Sequence, residues 1–389
     1  MFIQQRRRQK FMDNNNEHKI PILSFYSGGG LMDMGFEQAG FEIVWTNEFD
    51  KDFAKLHAAG ITSWRKSQGN GIKAEIFNTK SITEISSKEI LTEAFPQGKP
   101  EDFGIIGGPP CQDFSMNGSR KGFKGDRGKL TIIFFDKILE MEPTFFVMEN
   151  VTGLIKSKSN KEFLIKLLNR VNKRYYIDYK TLNALDFGVP QFRERLFFIG
   201  IRKDKIVDEV LNFSSGQWFI FPENVNYKNS ARKYKWATAV PFGRKLHKPI
   251  DIPIELCVEN CLVSEDKVEI IPNANEYFKL YRTIKELKDI KEGETNRPSF
   301  KRLHRYKYSP TACYGNNEVH LHPYLNRRLS VRETLRIQGV EDSYILPKEL
   351  PLTKKFKMIG NGVPVPLAEA VANAVKSFLK ENLLIKKIY

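Results

Sequence analysis

A cysteine follows two glycines and two prolines in the stretch "GGPPCQDFS", at the end of the apolar run "FGIIGG". Most free cysteines are small buried hydrophobes, and a buried structural cysteine would not need this placement. We therefore expect Cys111 to lie just past the end of a strand, with Pro109 and Pro110 stiffening the approach. A thiol in that position is a candidate nucleophile.

Two further stretches supply groups that could work with such a thiol. "TFFVMENV" ends a strand with Glu149 and Asn150, and "VPQFRERLFFIG" places Gln191, Arg193 and Arg195 at alternating positions, which share one face of a strand. Two arginines on one face are costly unless they are paired or meet a ligand; surface charge on an edge strand is the simpler alternative. Thiol, carboxyl group and guanidinium donors together form a set suited to covalent catalysis.

The stretch after the cysteine, "QDFSMNGSRKGFKGDRGK", interleaves four glycines with five basic residues. This composition is typical of a mobile basic lid that closes over a phosphate-bearing substrate. A solvated loop is the alternative.

The stretch "ILSFYSGGGLMDMGF" reads as strand, glycine turn and helix, and Glu48 follows Gly28 by twenty residues at the end of the next strand. In a doubly wound fold both residues reach the carboxyl edge, where an acidic side chain can accept hydrogen bonds from a ribose diol. A complete dinucleotide fingerprint would have glycine at Asp33. The pattern therefore favours a nucleoside cofactor without pyrophosphate, with a simple tight turn as the alternative.

The composition indicates an ordinary soluble globular protein. The chain has 389 residues, of which 41% are hydrophobic and 28% charged, enough for about two domains. No apolar stretch approaches the roughly 20 residues of a membrane span, and the N-terminus lacks the features of a secretory signal. We therefore expect an intracellular, cytoplasmic protein.

The charge indicates the kind of partner. A net charge of +16 favours a polyanion, with nucleic acid ahead of an anionic membrane surface. Residues 1–19 are predicted to form a flexible tail, in which Arg6, Arg7 and Arg8 are candidates for phosphate contact or are merely solvated. The four cysteines form no disulfide framework, and no metal site is expected, since Cys257 and Cys261 have no further Cys or His cluster nearby.

The first half of the chain alternates short apolar runs with helical stretches, which predicts an α/β fold with a Rossmann-like, doubly wound, mostly parallel sheet. The strand candidates are "ILSFY", "FEIVW", "FGIIGG", "TFFVMEN" and "RLFFIGI". The helix candidates are "GKLTIIFFDKILEM", "NKEFLIKLLNRV" and the amphipathic "NGVPVPLAEAVANAVKSFLKENLL". After about Ile201 the sequence becomes loop-rich and basic, which predicts a smaller, irregular second domain.

Eight stretches carry a resemblance to one family, in the family's order. They are "SFYSGGGLMDMGFEQAGF", "NEFD", "GGPPCQDFS", "RGKL", "ENVTGL", "QFRERLFFIG", "NRRLSVRETLRIQG" and "MIGNGVPVPLAEAVA". On these motifs the chain resembles the cytosine-C5 DNA methyltransferases of bacterial and phage restriction-modification systems. The resemblance covers most of the chain outside the tail and residues 201–296.

The resemblance implies a mechanism and a division of the chain. Cys111 would attack C6 of a flipped-out cytosine, and Glu149 would protonate or hydrogen-bond N3. Arg195, which lies beside Arg193 in the motif, would donate to O2. C5 would then take a methyl group from S-adenosyl-L-methionine. The implied partner is double-stranded DNA, bound by a monomer, with a cognate endonuclease acting separately. The implied segments are the tail (1–19), a catalytic and cofactor-binding domain (20–202) completed by 345–389, a target-recognition domain (203–326) and a supporting motif (327–344).

Carried over residue by residue, the resemblance also implies the binding residues. Those for the cofactor are Tyr26, Gly28, Gly30, Leu31, Glu48, Phe49, Ile82, Pro109, Asn361 and Val363. Those for DNA are Gln112, Ser115, Arg120 and Arg127. Within the cofactor set, Glu48 would hold the ribose and Phe49 would pack on adenine. Three positions depart from the family: Tyr26 replaces Phe, Leu31 replaces a common Gly, and Ser81 replaces an Asp that contacts the adenine amino group.

The target sequence would be read from the recognition domain in the major groove and from the lid on the minor-groove side. Candidates, which a polar surface patch would equally explain, are Arg232, Lys233, Tyr234, Trp236, Arg244 and His247; His304 and Arg305 are undecided. Four residues of the "NRRLSVRETLRIQG" motif are predicted to be structural: Arg332, Glu333, Arg336 and Gln338.

Three other functions compete. A tRNA cytosine-C5 methyltransferase would share the fold and the Glu-Asn-Val motif, but the chain lacks that subgroup's Cys-Phe-Thr tripeptide and has "TACYGNN" instead. A DNA-binding regulator with an inactive catalytic domain is disfavoured because the cysteine, the glutamate and both arginines are present. A nicotinamide dehydrogenase would explain Gly28 and Glu48 alone.

Overall fold

The computed structural model describes residues 19–69, 76–110, 128–156, 158–206, 211, 217–280, 287–311, 314 and 319–386. The N-terminal tail up to residue 18 lies outside these ranges. So does the segment 111–127, which contains Cys111 and the four residues predicted to bind DNA (Gln112, Ser115, Arg120 and Arg127).

Seven strands form one sheet in the order β3-β2-β1-β4-β5-β7-β6. They are β1 (Pro21–Phe25), β2 (Glu42–Asn47), β3 (Ile76–Asn78), β4 (Gly104–Gly107), β5 (Phe145–Asn150), β6 (Tyr175–Asn183) and β7 (Glu194–Arg202). The strands from β3 to β5 pair in parallel, whereas β7 is antiparallel to both β5 and β6. The prediction of a doubly wound, mostly parallel sheet is confirmed.

Ten helices accompany the strands in the described part of the chain. They are α1 (Leu31–Gln38), α2 (Lys51–Ser67), α3 (Ser87–Ala94), α4 (Gly128–Met141), α5 (Gly153–Lys156), α6 (Lys158–Val171), α7 (Ser230–Lys233), α8 (Val331–Ile337), α9 (Leu352–Asn361) and α10 (Val365–Lys386). Short 3-10 turns, such as Val258–Cys261, punctuate the region between β7 and α8. This loop-rich composition agrees with the break in rhythm that the sequence shows after about Ile201.

The central strands bury both faces, as expected of a sheet covered by helices on each side. Successive residues of β1 show this: Ile22 packs in a cluster with Phe36 of α1 and Val371 of α10, whereas Leu23 packs in a second cluster with Phe134 of α4. The polar carboxyl ends of the strands therefore remain the natural place for ligands.

Two strands were not predicted from the sequence. Strand β3 has only three residues, and β6 lies at the sheet edge and includes Asp178 and Lys180. An edge strand has one unpaired side and tolerates charge, so neither segment shows the apolar run used to find the others. The structure also begins β7 at Glu194, so the prediction that Gln191 and Arg193 lie on that strand with Arg195 is wrong.

Helix α8 joins the region after β7 to the sheet. Its residue Leu335 shares an apolar cluster with Leu31 and Met34 of α1 and with Val258 and Cys261. Ser330 begins the helix through a capping box with Glu333, in which each residue bonds the other's backbone N–H.

Candidate active site

Glu149 and Arg195 form a buried ion pair at the carboxyl end of β5. Glu149 is paired in register with Phe197 of β7, and the Nε atom of Arg195 lies 2.9 Å from Oε1 of Glu149. Burial raises the pKa of Glu149 above its usual value, although the charges of Arg195 and Arg193 act to lower it. The carboxyl group therefore retains a proton to a higher pH than an exposed glutamate does.

The backbone that leads to Cys111 passes directly against this carboxylate. A Cβ atom built on Gly108 would lie 3.0 Å from Oε2 of Glu149, so a side chain there would press on the carboxylate. Asn150 donates from Nδ2 to the carbonyl oxygen of Pro109 at 3.3 Å. Cys111 follows two residues after Pro109 in the sequence, outside the described residues.

Arg193 is fully buried and bonds to the chain instead of facing an open surface. Its Nη2 donates to the carbonyl oxygens of Gly360 at 2.7 Å and Gly362 at 2.9 Å, and its Nη1 donates to Oε1 of Gln191 at 3.4 Å. Gln191 in turn donates to Gln338 at 3.2 Å. Arg193 thus ties the segment before β7 to the turn between α9 and α10.

Gly28 and Glu48 meet at the carboxyl ends of β1 and β2. The amide of Gly28 donates to Oε2 of Glu48 at 3.0 Å, and the amide of Asp50 donates to Oε1 at 2.8 Å. Gly28 has a φ of +56°, and no atom lies within 4 Å of a Cβ built on it. Burial raises the pKa of Glu48, and each of its carboxylate oxygens keeps a further lone pair for a hydroxyl donor.

The residues predicted to hold an adenine lie next to Glu48. The side chain of Phe49 is 68% exposed, whereas Ile82 is buried. The Ser81 hydroxyl lies 2.7 Å from that of Thr83. The hydroxyl of Tyr26, which precedes the glycine turn in the sequence, donates to the Leu130 carbonyl oxygen at 3.1 Å.

The turn between α9 and α10, near the C-terminus, packs against the start of α1, which follows the glycine turn. Asn361 is exposed and Val363 is buried. A Cβ atom built on Gly362 would lie 2.6 Å from Cδ2 of Leu31, and the side chain of Leu31 is buried in the α1 cluster. Leu31 could therefore contact a cofactor only through its backbone, in the first turn of α1.

Sequence reasoning missed the groups that brace the glycine turn. Tyr344 donates its hydroxyl to the carbonyl oxygen of Gly29 at 2.7 Å across 315 residues. Asp33, at the position where a dinucleotide fingerprint has glycine, is buried and accepts from the Ser24 hydroxyl at 2.6 Å. The acidic residue within the "GGGLMDMGF" stretch was a visible cue for Asp33; no local pattern indicates Tyr344.

The four motif residues predicted to be structural each bind protein groups. Glu333 accepts from Arg327 at 2.7 and 2.8 Å. Arg332 is fully buried and donates to three carbonyl oxygens, those of Pro272, Glu341 and Tyr344. Arg336 donates to Asp342 at 2.6 and 2.9 Å, and Gln338 donates to the Ile359 carbonyl oxygen at 2.7 Å.

The candidates for sequence reading lie in the region between β7 and α8. Four of them are exposed: Arg232, Lys233, Arg244 and His247. The Tyr234 ring packs edge-on to that of Trp236, which packs edge-on to Tyr308. Arg305 and His304, undecided from the sequence, both lie against Glu292, with Arg305 donating to it at 2.7 and 2.8 Å.

The two clustered cysteines lie in the packed interior. Cys257 and Cys261 are both buried, and burial raises the pKa of each thiol to about 12. Across the described ranges, no group of three or more His, Cys, Asp or Glu side chains is arranged to hold a metal ion. None of the described helices is long and apolar enough to cross a membrane.

The seven-stranded order with an antiparallel β7 is that of the class of methyltransferases with the Rossmann-like fold. Residues 20–377 match the profile of the family described as C-5 cytosine-specific DNA methylase. The chain belongs to this family, and it is a DNA (cytosine-5-)-methyltransferase. The resemblance in the sequence motifs is thereby confirmed.

Individual relatives agree with this assignment. The chain is 37% identical over 371 residues to the Type II methyltransferase M.NmeDI of Neisseria meningitidis serogroup C, covering 94% of this chain and 85% of that protein. It is 33% identical over 384 residues to M.FnuDI of Fusobacterium nucleatum, covering 95% and 97%. Among solved structures, the fold is similar to that of a putative DNA modification methyltransferase encoded within an E. coli prophage (TM-score 0.59, 24% identity, 93% and 100% coverage). It is also similar to that of the S. pombe Dnmt2 methyltransferase (TM-score 0.58, 16% identity, 93% and 99% coverage).

Proposed function

We propose that the protein transfers a methyl group from S-adenosyl-L-methionine to C5 of a flipped-out cytosine within a short duplex sequence, through a covalent bond between Cys111 and C6. The observation that carries this proposal is the buried Glu149–Arg195 pair beside the backbone of Gly108. We further propose that it is the modification enzyme of a Type II restriction-modification system, as the names of its relatives indicate.

The residues at the ends of β1 and β2 fit the cofactor. Gly28 leaves open space beside its Cα atom, Glu48 offers lone pairs to the ribose hydroxyls, and Phe49 presents an exposed ring to adenine. When bound, the cofactor supplies a methyl group on a sulfonium centre. This charged methyl donor needs no pyrophosphate site, which agrees with Asp33 in place of a fingerprint glycine.

The nucleophilic and acidic groups divide the work on the base. The Cys111 thiolate attacks C6 while Glu149 gives its proton to N3, so the ring becomes an enamine whose C5 is nucleophilic enough to accept the methyl group. The raised pKa of Glu149, caused by burial, keeps that proton available. Arg195 donates to O2 of the base. Methyl transfer releases S-adenosyl-L-homocysteine. A base in the site or a water molecule then takes the C5 proton, the thiolate leaves C6, and N3 returns its proton to Glu149, which restores the aromatic ring and the starting protonation state.

The remaining roles follow from the same proposal. The segment 111–127 supplies Gln112, Ser115, Arg120 and Arg127 to the DNA, and residues 203–326 read the target bases. The protein acts on DNA as a monomer in the bacterial cytoplasm, and a separate endonuclease cuts the unmethylated sequence. Arg193 acts here as a positioning residue, because its guanidinium group is engaged with Gly360 and Gly362.

The proposal is tested by transfer of labelled methyl groups to unmethylated genomic DNA and to tRNA in parallel, with Cys111→Ala as the control. We expect label in DNA alone, at C5 of cytosine within one short sequence, and no transfer by the variant. Label in tRNA alone would establish the RNA alternative, and label retained by Cys111→Ala would exclude the covalent route.

A further inference from the structure

A pocket opens on the region between β7 and α8, and its lining includes neither Glu149 nor Arg195. Its lining residues are Gly293, Thr295, His304, Lys307, Tyr308 and Pro310. Four of these six side chains carry hydrogen-bond donors, one is a cation, and none is acidic. A concave site with this composition suits an anion.

The ring of His304 lines this pocket. Its Nδ1 atom accepts the backbone N–H of Tyr306 at 3.0 Å, so the neutral ring carries its hydrogen on Nε2. The neighbouring Cδ2 atom faces Gly293, 3.1 Å from the position of a Cβ built on that residue. The side of the ring that carries Cδ2 therefore faces Gly293, another residue of the lining.

The two carboxylates that flank Gly293 in the sequence are each paired with an arginine. Glu292 is fully buried and accepts from Nε and Nη2 of Arg305 at 2.8 and 2.7 Å. Glu294 pairs with Arg297 at 2.7 Å. The charge of Lys307 thus remains uncompensated by these groups. The adjoining stretch 224–250 adds seven Lys and Arg residues and no Asp or Glu, so the local field favours a negative ligand.

The pocket is connected to the segment that leads into β7 through Ser309, the residue after Tyr308. Ser309 accepts from the amide of Phe192 at 2.9 Å and donates to the carbonyl oxygen of Pro190 at 2.8 Å. The rings of Phe192 and Tyr308 pack with centroids 5.9 Å apart. Phe192 precedes Arg195 by three residues, roughly 10 Å of extended chain. Hydrogen bonds and ring packing therefore join the pocket to the segment that carries Arg195, the partner of Glu149.

We propose that this pocket holds one phosphate group of the DNA backbone close to the target cytosine. The inference rests on the proposed function, which brings duplex DNA to Glu149. Phosphate contacts fix the register and orientation of DNA without reading its sequence. Lys307, Thr295 and His304 thus position the substrate, and other residues select it.

The first test compares Lys307→Gln with Lys267→Gln, an exposed lysine in an acidic stretch of the same region, as the matched control. Dissociation constants of the full chain are measured over a range of salt concentrations. The duplexes either contain or lack the recognition sequence, which is the short sequence that the protein methylates. For Lys307→Gln we expect about tenfold weaker binding to both duplexes. The slope of log K against log salt concentration should decrease in magnitude by about 0.9, and the recognition sequence should stay the same. A changed methylation sequence would show that the pocket reads bases, and a result equal to that of Lys267→Gln would show that it binds no phosphate; either overturns the proposal.

The second test locates the phosphate. Duplexes carrying a single neutral methylphosphonate are scanned across the site with the parent protein, with Lys307→Gln and with Thr295→Val. One position should weaken binding by the parent and have little further effect on Lys307→Gln, since the two changes remove the same contact. If the methylphosphonate weakens binding equally for the parent and for Lys307→Gln at every position, the pocket contacts no phosphate of the DNA and binds at most free phosphate. That result would overturn the proposal. Because binding is measured without methyl transfer, failure of the proposed function would leave this result readable.

Discussion

The Nε atom of Arg195 lies 2.9 Å from Oε1 of Glu149, yet the pKa of Glu149 is still raised. Burial disfavours the carboxylate more than the adjacent guanidinium group favours it. Under the proposed function this pair serves two tasks, because the acid keeps a proton for N3 while the arginine fixes the orientation of the carboxyl group. The chemistry thus depends on the balance between burial and charge.

Replacing Glu149 with Gln should remove the proton donor and keep the shape. We expect kcat to fall by about 100-fold or more, in the range of general acid catalysis, while the affinity for S-adenosylmethionine stays the same. Steady-state kinetics and calorimetric titration measure the two quantities. Glu142→Gln, which changes a half-buried carboxylate paired with Arg174, serves as the control. Methyl transfer at the parent rate would contradict the role of Glu149.

Replacing Arg195 with Gln should raise the pKa of Glu149 further, because a cation that favours the ionised form is lost. Carbon-13 NMR of labelled glutamate, recorded against pH, measures this change directly. Arg170→Gln, at an exposed ion pair, should leave the titration unaltered. If the Glu149 resonance titrates at the same or a lower pH in Arg195→Gln, the two side chains are not coupled as the geometry indicates.

Replacing Phe49 with Ala should weaken binding of S-adenosylmethionine without unfolding the protein. The ring is 68% exposed, so the free energy of unfolding should change by less than about 0.5 kcal/mol. Loss of stacking on adenine should cost about 1–3 kcal/mol of binding free energy. Isothermal titration checks the affinity, with Ile250→Ala, at a 98% exposed side chain, as the control. Unchanged affinity would place the adenine elsewhere.

Replacing Ser81 with Asp should strengthen cofactor binding. The hydroxyl of Ser81 contacts that of Thr83, and an aspartate can keep that contact while it offers another oxygen to the adenine amino group. A charge-assisted hydrogen bond of about 1.5 kcal/mol would tighten binding by roughly tenfold. Titration of Ser81→Asp and Ser81→Asn separates the effect of charge from that of shape; weaker binding by both variants would show that the position does not face adenine.

Two buried histidines should make the protein less stable in acid. Burial lowers the pKa values of His320 and His322 from 6.5 to about 3. Between these values the unfolded chain binds more protons, so the free energy of unfolding falls as the pH decreases from about 6.5, by roughly 2 kcal/mol per histidine at pH 5. Urea titrations at about pH 7.5 and pH 5 measure the loss.

The variant His320→Asn isolates one of these contributions. In this variant the difference in unfolding free energy between the two pH values should decrease by the contribution of one histidine, roughly 2 kcal/mol. This holds whatever the stability of the variant at neutral pH. His247→Asn, which removes an exposed ring, serves as the control. An equal pH dependence in both variants would show that His320 is protonated in the folded protein.

Much of the fold and of the cofactor site was predictable from local pattern. The apolar runs of β1, β2, β4, β5 and β7 and the spacing of Gly28 and Glu48 were visible, and the two residues do meet, at 3.0 Å. Strands β3 and β6 were not found because a three-residue strand and a charged edge strand carry too little apolar periodicity. The contribution of Tyr344 to the glycine turn was hidden for another reason, since its partner is 315 residues away.

The sequence by itself determined the family, the order of its motifs and the types of group available for chemistry, because these depend only on residue identity and short-range spacing. Tertiary structure alone decided how those groups are used. Arg193 and Arg195 are two residues apart, yet one is engaged by the carbonyl oxygens of Gly360 and Gly362 and the other by Glu149. The pKa of Glu149 likewise depends on how much water the packed chain excludes. Burial and long-range partners are properties of the packed molecule, and no local pattern encodes them.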